Sequence, residues 1–331
     1  MVKMEKRGVL EVQMHWIFVI IAGAIILTFF IGIVAKQRSI ARKELIFDIT
    51  NDLDLLISVT NIAEGSVTKI DIPDIEINFD CRDYWVEGQK KSLQAKPVFA
   101  HDEIKGNQIL LWTLAWKMPF KVDNFLYVTS PQIRYVFYQP PSGLYASIPD
   151  KISRERASNL ADLNDKGNYK IKFILFNKQP LELAFPGWIK KYDTITVSVY
   201  EDENKIEYYS YKRDRWEKQG TTFYLGEPSM IGSFFTDNID DYNCIMDKAV
   251  RELNIISKIY AERTGLLDES NVCPIYYGEE NIRFLDDLAD ETSGEQKFST
   301  GKIRIGAIKG IAASLKELNR DIELQSCPVI Y

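Results

Sequence analysis

The pattern of apolar and polar positions is dominated by one segment, Trp16 to Ala35 (WIFVIIAGAIILTFFIGIVA), twenty residues without a charge, with uncharged residues reaching back to Val12. At about 1.5 Å per residue such a helix is about 30 Å long, the thickness of the hydrocarbon layer. A buried core helix rarely lacks every charge over this length, and a cleaved secretory signal has a shorter apolar region ending in a small-x-small site, which is missing here. The pattern therefore predicts a basic N-terminal segment over 1–14 and a transmembrane helix over 15–35. His15 and Trp16 stand at the membrane interface, where amphipathic rings are favoured.

Beyond Ala35 the helical period continues. Ile46, Ile49, Leu53, Leu56 and Thr60 recur at spacings of three and four, Asp48, Asp52 and Asp54 take other faces, and no Gly or Pro interrupts residues 33–64. This predicts a helical stalk over 36–62, which packs on its own head or self-associates with a second copy. The period then changes to two. Ile75, Ile77, Phe79 and Cys81 alternate with Glu76, Asn78 and Asp80, and Leu110, Trp112, Leu114, Trp116, Met118 and Phe120 share one face of a second strand. Residues 63–139 thus read as a small antiparallel β domain, with Trp112, Trp116 and Phe120 as core residues rather than a sugar platform. Residues 140–168 lack a sustained apolar stripe and read as a connector.

From Tyr169 strands mix with helices. KIKFILF (170–176) ends in a nearly continuous apolar run, as for a strand covered on both faces; TITVSVY (194–200) and KIEYYSY (205–211) suggest a hairpin, and TTFYLG (221–226) and MIGSFF (230–235) two further strands. Two long helices follow, one with Tyr242, Met246, Ala249, Leu253, Ile256 and Tyr260 on one face, the other with Ile305, Ile308, Ala312, Leu315, Leu318 and Ile322, and a shorter one lies near 281–289. Acids at Asp237 to Asp241 suit the first helix's start. The expected fold class is α+β: transmembrane helix and helical stalk, small antiparallel β domain, connector, and a mixed α/β domain with C-terminal helices over 169–331.

Charge sharpens this picture. The net charge of -6 conceals a basic segment, since residues 1–43 hold seven Lys or Arg against Glu5 and Glu11, a balance of +5 that leaves -11 on residues 44–331. A head this acidic repels phosphate backbones, so nucleic acid is not an expected partner. Three basic residues precede the span and four follow it, so the positive-inside rule does not orient it. All four cysteines, Cys81, Cys244, Cys273 and Cys327, lie beyond the span, and their even number favours disulfides and an extracytoplasmic head. If the last helix packs antiparallel to the first, Cys327 returns close to Cys244; Cys244–Cys327 is the expected bond, with Cys273 joining either if the helices end otherwise.

The N-terminus, Lys6-Arg7-Gly8 followed by Glu11 and the long apolar helix, resembles the class III signal of type IV pilins and related archaeal proteins. The resemblance implies a peptidase cut after Gly8 and an apolar helix that packs into a filament core, although Glu11 lies three residues beyond the cut where the family has five. Together with the C-terminal SCPVIY, this N-terminus also resembles single-pass membrane proteins of archaea, which implies no activity.

Motifs for nucleotide binding, zinc hydrolysis, paired CxxC chemistry and a serine nucleophile elbow are missing from the sequence. His101 reads as a solvated loop residue, and the acidic pairs Asp240-Asp241, Asp286-Asp287 and Glu279-Glu280 as helix ends rather than calcium ligands. No cofactor is expected. The function expected is a membrane-anchored structural or interaction protein whose partners are the lipid bilayer and other proteins or a second copy, met through the transmembrane helix and stalk. The alternative is a membrane-tethered α/β enzyme or ligand-binding receptor.

Overall fold

The computed structural model describes residues 7–58, 65–269, 273–294 and 297–331. Two compact units divide the chain, residues 1–53 and 54–331. Helix α1 (Arg7–Ser58) runs without interruption for 52 residues, as expected of a segment free of Pro and of glycine beyond Gly32. Its most apolar 18-residue stretch has a mean hydropathy of 3.0 and no buried residue, so this one helix is long and apolar enough to span a membrane. Gly8 and His15 lie on the backbone of α1, and the Trp16 side chain is 67% exposed. Part of the expected stalk, residues 59–62, falls outside the described residues.

The second unit is α+β, with two six-stranded sheets. The first contains β1 (Val67–Phe79), β2 (Asp83–Val86), β3 (Gln89–Ser92), β4 (Val98–Ala100), β5 (Glu103–Lys117) and β6 (Lys121–Thr129), ordered β3-β2-β1-β5-β6-β4. The predicted alternation holds in β1, where Ile75, Ile77 and Phe79 are buried and Glu76 is exposed. The sheet is mixed rather than purely antiparallel. Residues 93–97 carry the chain to the far side of β6, where β4 pairs parallel to it with Val98 opposite Leu126. Trp112 and Trp116 are fully buried against Tyr127 and Phe125, which makes them core.

The second sheet begins earlier than the sequence suggests. β7 (Ile133–Tyr138) belongs to it, with β8 (Arg154–Ala157), β9 (Lys170–Phe176), β10 (Asp193–Tyr200), β11 (Lys205–Lys212) and β12 (Arg215–Phe223), in the order β12-β11-β10-β9-β7-β8. β9 is central, parallel to both β7 and β10, and every residue in it is buried, which explains the apolar run Phe173–Phe176, while Lys170 and Lys172 are buried in its first half. The expected hairpin forms between β10 and β11 with Val199 opposite Ile206. Residues 140–168 are not a free connector. They form a short helix α2 (Ser142–Ser147) and β8, and bury Leu144, Leu160 and Leu163. Leu160 and Leu163 pack in one cluster with Val136, Ile171, Phe173 and Ile189. Extended chain can bury apolar side chains without any helical or strand period, so pattern reading misses such a segment.

The MIGSFF segment is helix, not strand: it lies in α3 (Glu227–Phe235), opened by Pro228 in the first turn, and all residues from Ser229 to Phe235 are buried. A short apolar run covered on every side has no period to distinguish the two. Gly232 lets α3 approach β4 closely, since a Cβ there would stand 2.5 Å from a ring carbon of Phe99. Phe235 packs on Trp112 and Tyr127 of the first sheet and Tyr135 of the second. Helix α4 (Ile239–Glu269) follows, then α5 (Pro274–Tyr277), α6 (Glu279–Glu291) and α7 (Ile305–Leu324), the last with the predicted Ile305, Ile308, Ala312, Leu315 and Ile322 buried.

The disulfides overturn the expected Cys244–Cys327 bond and show the alternative in which Cys273 joins Cys327. Cys81 bonds Cys244 and Cys273 bonds Cys327, with Cα separations of 5.9 and 6.3 Å, and all four cysteines are used. The expected Cys244–Cys327 bond assumed that α7 packs directly on α4. Instead α6 packs against both, and Cys327, three residues after the end of α7, meets Cys273, which directly precedes α5.

Candidate functional site

The first Cys–Cys bond joins the β1–β2 turn to one face of α4, and a cavity of about 580 Å³ opens beside it. Cys244, Asp247, Lys248 and Arg251 recur at spacings of three and four, so one stripe of α4 lines its wall. The turn is fixed from within, because Asp80 Oδ1 accepts the N–H groups of Arg82 at 2.6 Å and Asp83 at 2.7 Å. It is also fixed from the helix, where Asp241 Oδ1 accepts the Cys81 N–H at 3.0 Å and Lys248 Nζ donates to the Cys81 carbonyl. Burial lowers the Lys248 ammonium below its ordinary value against the pull of Asp80 and Asp83.

A third segment closes the cavity. Asp247 accepts the N–H of Phe298 at 2.7 Å and of Ser299 at 3.4 Å, and the Ser299 hydroxyl as well. These bonds hold the turn that carries Lys297. Among the described residues, Arg82, Lys248, Arg251 and Lys297 thus face one cavity with a single carboxylate, Asp247, in its lining. Arg82, Arg251 and Lys297 make no ion pair or side-chain hydrogen bond among the described residues. A smaller depression of about 170 Å³, lined by Asn254 and Ser293, continues from it past Arg251 and Lys297.

A second polar constellation lies where the two sheets meet α3 and α4. His101, expected in solvent, is fully buried. Its Nδ1 meets Asp237 Oδ1 at 2.6 Å, and its Nε2 meets the Tyr135 hydroxyl at 2.6 Å, which in turn lies 2.6 Å from the Thr129 hydroxyl. Burial lowers the His101 ring below its ordinary value against the pull of Asp237, and because a carboxylate oxygen only accepts, Nδ1 carries the proton of the bond to Asp237. Asp237 also accepts the Asp102 N–H at 3.0 Å and the Lys170 ammonium, which pairs with Asp193 at 3.1 Å too. Burial pushes Asp237 up, but His101, Lys170 and Lys172 override it and hold the carboxyl far below its usual range.

Lys172 donates to the Thr236 carbonyl and lies 5.2 Å from the centre of the Tyr208 ring. Its burial brings the ammonium down to about 8 against the pull of Asp237. This network is sealed, since His101, Lys170, Lys172 and Asp237 are 4% exposed or less. It joins the two sheets and offers no substrate access.

Lys172 gives the fold a pH signature. The unfolded side chain titrates near its ordinary 10.5, whereas the folded one loses its proton at about 8. The unfolded state therefore binds more protons in this interval, and stability rises with pH between 8 and 10 by on the order of 1 kcal/mol per pH unit. Above pH 10 the trend reverses, because Tyr127, Tyr135 and Tyr208, held well above their ordinary range by burial, stay protonated while their unfolded counterparts ionise. Urea midpoints of the full chain in neutral detergent should show this maximum, and Lys172→Met should make the rise between pH 8 and 10 clearly shallower, the partly buried Lys248 and Lys96 ammonium groups keeping a remainder.

Of the residues singled out from sequence, the structure brings the cysteines together in two pairs and leaves Gly8, His15 and Trp16 on α1. Arg82, Arg251 and Lys297 carried no sequence signal, because they stand isolated in the chain and meet only through the disulfide and the Asp247 bonds. Among the described residues no group of three His, Cys, Asp or Glu side chains is arranged to hold a metal ion. Comparison with known protein families, with characterised proteins and with solved structures finds no match.

Proposed function

We propose that this chain is a single-pass membrane protein whose head stands outside the cytoplasm and serves as a structural or interaction component of the cell envelope. The observation that carries this reading is α1, whose 18-residue apolar stretch has no buried residue and so needs lipid or another apolar partner to cover it. The two disulfides support the side of the membrane, since bonds of this kind persist in oxidising compartments. The pilin-like form of the proposal requires a peptidase cut after Gly8 and self-association of the apolar helix with further copies.

Protease added to intact cells is expected to digest the head and spare an apolar fragment. Maleimide labelling of the denatured, unreduced chain is expected to find no free thiol. A protected head with four reactive thiols would overturn the assignment. N-terminal sequencing that begins at Val9 supports the pilin-like form, and a start at Met1 removes it while leaving the anchor.

A further inference from the structure

We propose that the cavity between the β1–β2 turn, α4 and the Lys297 turn binds a phosphate-bearing small molecule with at least two negative charges. The chemistry of the lining carries this. Two guanidinium groups and an ammonium group without ion partners face one space, in a head whose balance over residues 44–331 is -11. Like charges gathered around one cavity repel one another, and a bound anion relieves that repulsion. Asp247 does not neutralise the group by pairing with it, because its oxygens accept from Phe298, Ser299 N–H and the Ser299 hydroxyl. Lys248 is held by the Cys81 carbonyl and adds a fixed positive charge at the wall.

The ligand class follows from the number and placement of the donors. Arg82 comes from the β1–β2 turn, Arg251 from α4 and Lys297 from the turn before α7, so the cations approach from three segments. A phosphoryl group offers oxygens in tetrahedral directions that can accept from three sides, whereas a carboxylate offers two in one plane. Guanidinium forks match phosphate geometry and bind it in pairs of hydrogen bonds. A volume of about 580 Å³ suits a small organic molecule rather than a lone phosphate ion. The Cys81–Cys244 bond sets Arg82 one residue from one sulfur-bearing position and Lys248 one helical turn from the other. The site is thereby organised before the ligand arrives, which lowers the ordering cost of binding. This assignment does not depend on which side of the membrane the head faces.

The test uses the full chain in phosphatidylcholine nanodiscs, titrated calorimetrically with inorganic pyrophosphate. Saturable binding that weakens with added salt is expected, and Arg82→Gln with Arg251→Gln should reduce the affinity by about tenfold or more. Both side chains are exposed, so the fold should survive, checked by an unchanged thermal midpoint. Lys316→Gln with Arg320→Gln, in the separate groove along α7, should leave affinity within about twofold. Repeating the titration in nanodiscs containing phosphatidylglycerol separates the sources. Weaker apparent affinity there, seen with the wild type and not with the double variant, assigns the site to a lipid headgroup. Unchanged affinity assigns it to a dissolved phosphorylated compound. Absence of saturable binding, or binding indifferent to the Arg82/Arg251 double variant, overturns the proposal.

Discussion

Asp237→Asn is expected to lower the stability of the head by about 3–5 kcal/mol, the range found when one partner of a buried ion pair is removed. The carboxylate is the common acceptor for the His101 ring, the Lys170 ammonium and the Asp102 N–H. An asparagine of the same shape keeps one acceptor oxygen but loses the charge that offsets two buried lysines, Lys170 and Lys172. It also presents an amide N–H₂ where the native oxygens accept, which sets donor against donor on one side of the residue. Asp193→Asn provides the contrast, because its side chain is 56% exposed and its pairing with Lys170 is screened by water. That variant should cost less than about 1 kcal/mol. Urea unfolding of the full chain in neutral detergent compares the two, and an Asp237→Asn midpoint indistinguishable from that of Asp193→Asn would show that the buried carboxylate is not a keystone. Partial recovery in the double variant Asp237→Leu with Lys170→Met would locate the loss in the uncompensated ammonium, since apolar replacement of both partners removes the unpaired charge.

The residues of this network explain what the sequence discloses and what it hides. Wherever burial follows a local period, the reading succeeds: β1 alternates because one face is covered, β9 ends in the apolar run Phe173–Phe176 because both faces are, and α4 and α7 keep their stripes. The apolar span of α1 is legible for the same reason, since composition over twenty residues needs no partner to interpret it. His101 has no such signal. Its partners Asp237 and Tyr135 lie 136 and 34 residues away, and beside Asp102 it looks like a polar loop. Asp237 is likewise plausible as a helix-start acid, while in the structure Asn238 takes that task by accepting the Asp241 N–H at 2.8 Å. The cation cavity is hidden more deeply, for its members come from three segments and none is unusual alone. The expectation of a Cys244–Cys327 bond failed at one step, the packing of α7 directly on α4, because α6 packs against both helices.

Removing the two disulfides separately is expected to give unequal losses, with the larger one also abolishing anion affinity. Cys81–Cys244 closes 163 residues and Cys273–Cys327 closes 54. In the chain-entropy model these loops correspond to about 5 and about 4 kcal/mol of stabilisation respectively, through restriction of the unfolded chain. Double serine variants of each pair, Cys81→Ser with Cys244→Ser and Cys273→Ser with Cys327→Ser, should therefore both unfold at lower urea, the first at the lowest. The functional consequence separates them further. Cys81 and Cys244 tie the Arg82 turn to the stripe of α4 that carries Lys248 and Arg251, and without the bond that tie rests on the Asp241 and Lys248 hydrogen bonds to Cys81. Pyrophosphate affinity at a temperature where both variants remain folded should fall several-fold in the first and stay near wild type in the second, because Cys273 and Cys327, before α5 and after α7, do not line the cavity. Equal midpoints would show that loop length does not govern their contributions, and equal affinities would show that the cavity is assembled by packing rather than by the Cys81–Cys244 bond.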